Sequence, residues 1–159
     1  MSINTGKSCC FFGHRDVSDS DSIKEQVKSV VTEIIENEGF DTFYFGGLGD
    51  FDDLCFQVLH SLKEKYPYIR LVFCFTDDRS LRKGSYDKTK KGFDECICLP
   101  LECNWWYTWI YYRNIALISV SDLCVFYADP TAEKSGARKA LSYAILKKRP
   151  FINLFPTKV

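Results

Sequence analysis

The sequence has no excess of either charge: 21 Lys and Arg stand against 21 Asp and Glu. A protein that depends on gripping a phosphate backbone shows a basic surplus, so nucleic acid is not an expected partner. Histidine is scarce, with only His14 and His60, and no C-x-x-C occurs among the eight cysteines. A zinc site is therefore not expected, and neither is any other metal or cofactor. No apolar run approaches the roughly 20 residues of a membrane span. The opening MSINTGKSCC lacks the charged segment and long apolar core of a secretory signal. With most cysteines in apolar contexts, the expectation is reduced, buried thiols in a cytoplasmic protein. G-x-G-x-x-G and G-x-x-x-x-G-K-[ST] are both missing, which removes the dinucleotide fingerprint and the P-loop. Repeats, low-complexity tracts and linkers are missing too, so one domain is expected over 1–159.

What the chain does have is a regular alternation. SCCFF (8–12), FDTFYF (40–45), IRLVFCF (69–75), CICLP (96–100), DLCVFYA (122–128) and PFINLF (150–155) are short, mostly apolar runs without polar alternation. Such runs mark strands covered on both faces. Between them lie helical patterns. Ser22 and Glu25 fit a capping box ahead of Ile23, Val27, Val31, Ile34 and Ile35, and Gly39 closes that pattern. Leu54, Cys55, Val58, Leu59 and Leu62 form a second helical stripe, expected to end near Tyr66-Pro67. Segments 105–121 and 137–149 read as two more helices, and 76–95 reads as a long loop. The expected fold is α/β: a Rossmann-like, doubly wound, mostly parallel sheet in a single domain.

In open α/β sheets, ligands bind outside the carboxyl ends of the strands. Strand one there delivers Gly13, His14 and Arg15. Strand two delivers Gly46, Gly47, Gly49 and Asp50; strand three delivers Asp77, Asp78 and Arg79. The strand at 122–128 leads to Asp129, Lys134, Ser135 and Gly136, which open a helix. Glycines let backbone approach a ligand, helix N-termini favour phosphate, and arginines grip phosphate bidentately. Together these groups suit a nucleotide or a phosphorylated sugar.

Four blocks carry a family likeness: CCFFGHR, FYFGGLGDFDDL, YYRNIALISVSDLCVFYADP and KSGARKALSYAILKKRPFINL. In this order they resemble the SLOG superfamily, which groups the DNA-uptake protein DprA, the LOG cytokinin-activating enzymes and YpsA-like bacterial proteins. The YpsA-like branch is the most similar, with its Gly-His-Arg after strand one and its Arg-Asn helix before a strand. The resemblance implies a Rossmann-like fold and a pocket for nucleotides or ADP-ribose-like ligands. It also implies that Gly13, His14, Arg15, Gly46, Gly47, Asp50, Arg79, Arg113, Asn114, Ser135 and Gly136 line that pocket.

LOG enzymes cleave a glycosidic bond with an Arg and a Glu of a glycine-rich loop. Arg113 matches that Arg. In the loop EKSGARKAL, however, Lys139 and Ala140 stand where the carboxylates would be. Lysine cannot stabilise an oxocarbenium-like centre or activate water as a carboxylate does. Asp52 and Asp53 read as helix-start acids favoured by the dipole, and Asp50 as the group for ribose hydroxyls. No catalytic residue is assigned. The leading expectation is a sensor or sequestering protein for a nucleotide-derived small molecule. The alternatives are a nucleoside or nucleotide N-glycosidase, or an interaction protein with a vestigial pocket.

Trp105, Trp106, Tyr107, Trp109, Tyr111 and Tyr112 leave aromatics on nearly every side of one helix. Packing against the sheet, a subunit interface, or an adenine platform would each bury them. A homodimer or higher homo-oligomer through 105–112 is the expected assembly.

Overall fold

The computed structural model describes residues 6–14, 17, 20–46, 49–76, 92–99, 109–132 and 135–156. Strands β1 (Lys7–Gly13), β2 (Phe40–Phe45), β3 (Arg70–Thr76), β4 (Glu95–Leu99), β5 (Leu123–Tyr127) and β6 (Phe151–Asn153) form one six-stranded sheet. Its order is β4-β3-β2-β1-β5-β6, and every pairing is parallel. Helices α1 (Ser20–Glu38) and α2 (Asp50–Leu62) cover one face; α3 (Trp109–Val120) and α4 (Gly136–Leu146) cover the other. The fold is the expected single-domain Rossmann-like α/β unit.

Strand polarity follows from double burial. Alternate β1 residues serve opposite faces: Cys9 and Phe11 join the core under α1 and α2, while Cys10 and Phe12 join the core under α3 and α4. Both faces are covered, so most positions along the strand are apolar. Phe43, Phe45 and Phe126 are fully buried in these layers. Each such side chain contributes about 1.5–3 kcal/mol by leaving water.

Some boundaries differ from the sequence reading. Helix α1 begins at Ser20, so Ser22 lies inside it and accepts from Gln26 Nε2 (3.4 Å) rather than forming the expected capping box. In a run of alternating Ser and Asp every residue can cap, and the pattern alone does not choose. Helix α2 stops at Leu62, short of Pro67. Strand β6 is only three residues long because the Asn153 side chain takes over the pairing. Its Oδ1 accepts the Ala128 N–H (3.1 Å) and its Nδ2 donates to the Ala128 carbonyl (2.9 Å). Of the expected loop at 76–95, Thr76 ends β3 and Glu95 opens β4; residues 77–91 and the aromatics Trp105, Trp106 and Tyr107 lie outside the described residues. Tyr111 and Tyr112, at the start of α3, are exposed. No helix of the described residues is long and apolar enough to cross a membrane.

Candidate functional site

Neighbouring β1 and β5 lead away in opposite directions across the sheet, which makes their carboxyl ends the topological switch point. Gly13 ends β1, in register with Tyr127 of β5. His14 follows immediately. Its own N–H donates to the Tyr127 carbonyl (3.1 Å), and its Nε2 accepts the Asp129 N–H (2.7 Å). Its Nδ1 lies 3.2 Å from Ser135 Oγ. Ser135 is the N-cap of α4 and accepts the Arg138 N–H (3.2 Å). One imidazole thus joins the end of β1, the end of β5 and the start of α4.

The proton positions follow from donor chemistry. A backbone N–H can only donate, so Nε2 carries the lone pair and neutral His14 holds its proton on Nδ1. Ser135 Oγ then accepts from both His14 and Arg138. Among the described residues its own hydroxyl proton has no acceptor. The ring is boxed edge-on by Tyr127 and Phe155 (centroids 6.1 and 5.8 Å). Gly13 is required by contact: a Cβ there would lie 2.3 Å from Cγ of fully buried Phe51.

A second group forms where β2 ends. Arg113 of α3 is 6% exposed. Its guanidinium donates to the Gly46 carbonyl (3.1 Å) and to Asn114 Oδ1 (3.0 Å). A Cβ on Gly46 would come within 2.6 Å of the guanidinium carbon, so glycine makes room for the arginine. Burial pulls the Arg113 guanidinium below its ordinary value, while the Asp52 carboxylate and then Cys74 act to hold its charge. Asp52 is itself buried, at 7% exposure. The pair spans from α2 to α3 beneath the end of β2.

Asp50 opens α2, exposed, with a long hydrogen bond from the Val17 N–H (3.4 Å). It lines a groove of about 340 Å³ between the amino ends of α1 and α2, together with Val17, Asp21, Lys24, Asp53 and Leu54. Three carboxylates against one lysine repel phosphate. Burial, and then Asp50, push the Asp53 carboxyl above its ordinary value. Gly13, His14, Ser135 and Arg113 do not line this groove.

Of the predicted site residues, Gly13, His14 and Ser135 come together at the switch point, with Gly136 next in chain. Gly46, Arg113 and Asn114 come together at the end of β2. Arg15, Gly47 and Arg79 lie outside the described residues. Sequence reading missed Asp52 and Asn153. Asp52 stands three residues before Cys55 and seven before Leu59, on the buried stripe of its helix, which was a readable signal. Asn153 is a lone amide within an apolar strand. Among the described residues no cluster of three or more His, Cys, Asp or Glu could hold a metal ion.

No family model matches this chain, and no curated protein matches it. Among solved structures, the X-ray structure of TM1055, a structural-genomics target, is similar with a TM-score of 0.58 at 11% identity. The match covers 91% of this chain and 72% of that one. The likeness is one of fold.

Proposed function

We propose that this chain is a SLOG-type protein of the cytoplasm that binds a nucleotide-derived small molecule, ADP-ribose-like or cyclic-nucleotide-like, at the switch point between β1 and β5. It acts as a sensor or a sequestering protein, without LOG-type hydrolysis and without a nucleic-acid partner. The observation that carries this reading is the convergence of Gly13, His14, Asp129 and Ser135 on one point of the carboxyl edge. The Ser135 hydroxyl proton and the first N–H groups of α4 offer donors and a positive dipole end to an anionic ligand. The catalytic carboxylates are missing from the start of α4, where Lys139 is exposed and Ala140 buried. A second copy packs over Tyr111 and Tyr112.

Native mass spectrometry of protein purified from cells, followed by calorimetry with AMP, ADP-ribose and a cyclic dinucleotide, tests the reading. A retained nucleotide-like mass is expected, with binding of at least one of these ligands and no release of free base. A charge-assisted contact is worth about 1.5–3 kcal/mol. Arg15→Ala should therefore weaken binding roughly 10- to 100-fold, whereas Lys147→Ala, past the far end of α4, should not change it. Absence of both a retained mass and any binding, or equal affinity in wild type and Arg15→Ala, overturns the proposal.

A further inference from the structure

We propose that Cys10 and Cys124 form a two-thiol redox site that closes to a reversible disulfide between β1 and β5. This does not depend on the ligand reading above. The two residues are direct register partners on adjacent parallel strands. Adjacent strands lie about 4.8 Å apart, inside the Cα separation a disulfide spans. The side chains point the same way, into the core beneath α3 and α4. The Cys10 thiol donates to Cys124 Sγ at 3.6 Å. Of the other described cysteines, Cys9 and Cys55 lie on the opposite face of the sheet, Cys74 lies on β3, and Cys96 and Cys98 lie on β4, with β2 between these strands and β1.

The surroundings make the two thiols unequal. Arg149 follows α4, and Pro150 accepts the Cys124 N–H (3.1 Å). The Arg149 guanidinium donates to the Ser121 carbonyl, and its buried Nε has no hydrogen-bond partner among the described residues. The Cys10 S–H, joined by the Arg149 charge and opposed by burial, draws Cys124 below the ordinary thiol value. Burial, then the contact with Cys124, push Cys10 well above it. A thiolate beside a cation is the reactive form of cysteine. Cys124 is thus the nucleophile and Cys10 the resolving thiol.

Both sulfurs are fully buried, so the oxidant must be close to water in size, and hydrogen peroxide meets that condition. The Cys124 thiolate attacks one peroxide oxygen and the O–O bond breaks. The departing hydroxide takes up the proton that Cys124 released, leaving water and a sulfenic acid. Cys10 Sγ then attacks Cys124 Sγ. The S–O bond breaks, and the hydroxyl leaves as water with the Cys10 proton. Two thiols have lost two electrons, and one peroxide has become two waters. A dithiol reductant reverses the bond by exchange.

The test treats the full chain with peroxide, alkylates the remaining thiols under denaturing conditions and digests with trypsin without reduction. The intact chain should lose the mass of two hydrogens and regain it with dithiothreitol. Peptides Ser8–Arg15 and Asn114–Lys134 should be linked. The link should persist in Cys9→Ser and vanish in Cys10→Ala and Cys124→Ala. The wild-type measurement decides the matter even if a core variant folds poorly. All eight thiols remaining alkylatable, oxygen adducts on Cys124 without a cross-link, or a link that survives Cys10→Ala would each overturn the proposal.

Discussion

His14, where β1 ends, accepts the backbone N–H of Asp129, where β5 ends, at 2.7 Å. The bond spans the point from which the two strands lead apart. On the other side of β5, Asn153 holds both backbone groups of Ala128. The loop leaving β5 is therefore fixed by side chains from both neighbouring strands, one residue apart. A binding loop set in advance in this way loses less entropy when a ligand arrives.

The first prediction follows from the donor count around His14. The ring should be the Nδ1–H tautomer, read from its nitrogen chemical shifts. His14→Ala should cost about 1–3 kcal/mol in urea unfolding, since two partly buried partners lose their bonds. It should also raise the hydrogen-exchange rate of the Asp129 amide. His14→Gln should recover part of the loss, because its Oε1 can still accept that N–H. An Nε2–H tautomer in the wild type would mean that the imidazole does not hold Asp129.

The architecture was legible in the sequence because a doubly covered sheet leaves mostly apolar runs; FDTFYF reads as β2 from end to end. The Gly13-His14 ending was also legible, since glycine and imidazole are out of place in an apolar run. Where the strands stop depends on contacts between distant segments. Asn153 ends β6 by pairing with Ala128, 25 residues away, and no local pattern carries that information. Asp52 does lie in the first turn of α2, as the sequence reading placed it; what that reading left out is its burial. An acid in the first turn of a helix has a sufficient local explanation in the dipole. Its tertiary role appears only when α3 brings Arg113 across the sheet.

A second prediction concerns pH. The Asp94 carboxylate accepts the Leu71 N–H (2.8 Å) and an ion pair from Lys63. Partial burial works to raise its pKa, but the Leu71 N–H, Lys63 and Arg70 outweigh that and hold it below the ordinary value. Its stabilising effect is therefore complete above the unfolded value, near ~3.9, and is lost as pH falls through the lower folded value. Asp94→Asn removes the charge and keeps the amide acceptor. Discounted for partial exposure, it should destabilise by about 1 kcal/mol at neutral pH. That deficit should shrink as the pH is taken from neutral to acid, through the lowered folded value. A deficit of equal size at neutral and acid pH in urea titrations would show that the charge is not the cause.

The third prediction separates two roles for Arg113. A residue that only touches ligand can be truncated with little effect on stability. Arg113 instead lies buried, bonded to the Gly46 carbonyl and to Asn114, with the Asp52 carboxylate supporting its charge. Removing one partner of a buried charge pair costs about 3–5 kcal/mol, because the other charge stays behind in a medium that solvates it poorly. Arg113→Met should therefore unfold at much lower urea even without any ligand. Arg113→Lys should recover little, since a single ammonium cannot reach the Gly46 carbonyl and Asn114 Oδ1 in the planar fork that guanidinium provides. Asp52→Asn alone should also destabilise. Combined with Arg113→Met it should cost clearly less than the two single changes added together, since the second change removes a charge the first left uncompensated. The measurement is a double-mutant cycle in ligand-free protein. Additivity to within about 0.5 kcal/mol would mean that Asp52 and Arg113 do not act as a pair. A near-wild-type midpoint for Arg113→Met would return the arginine to the ligand alone.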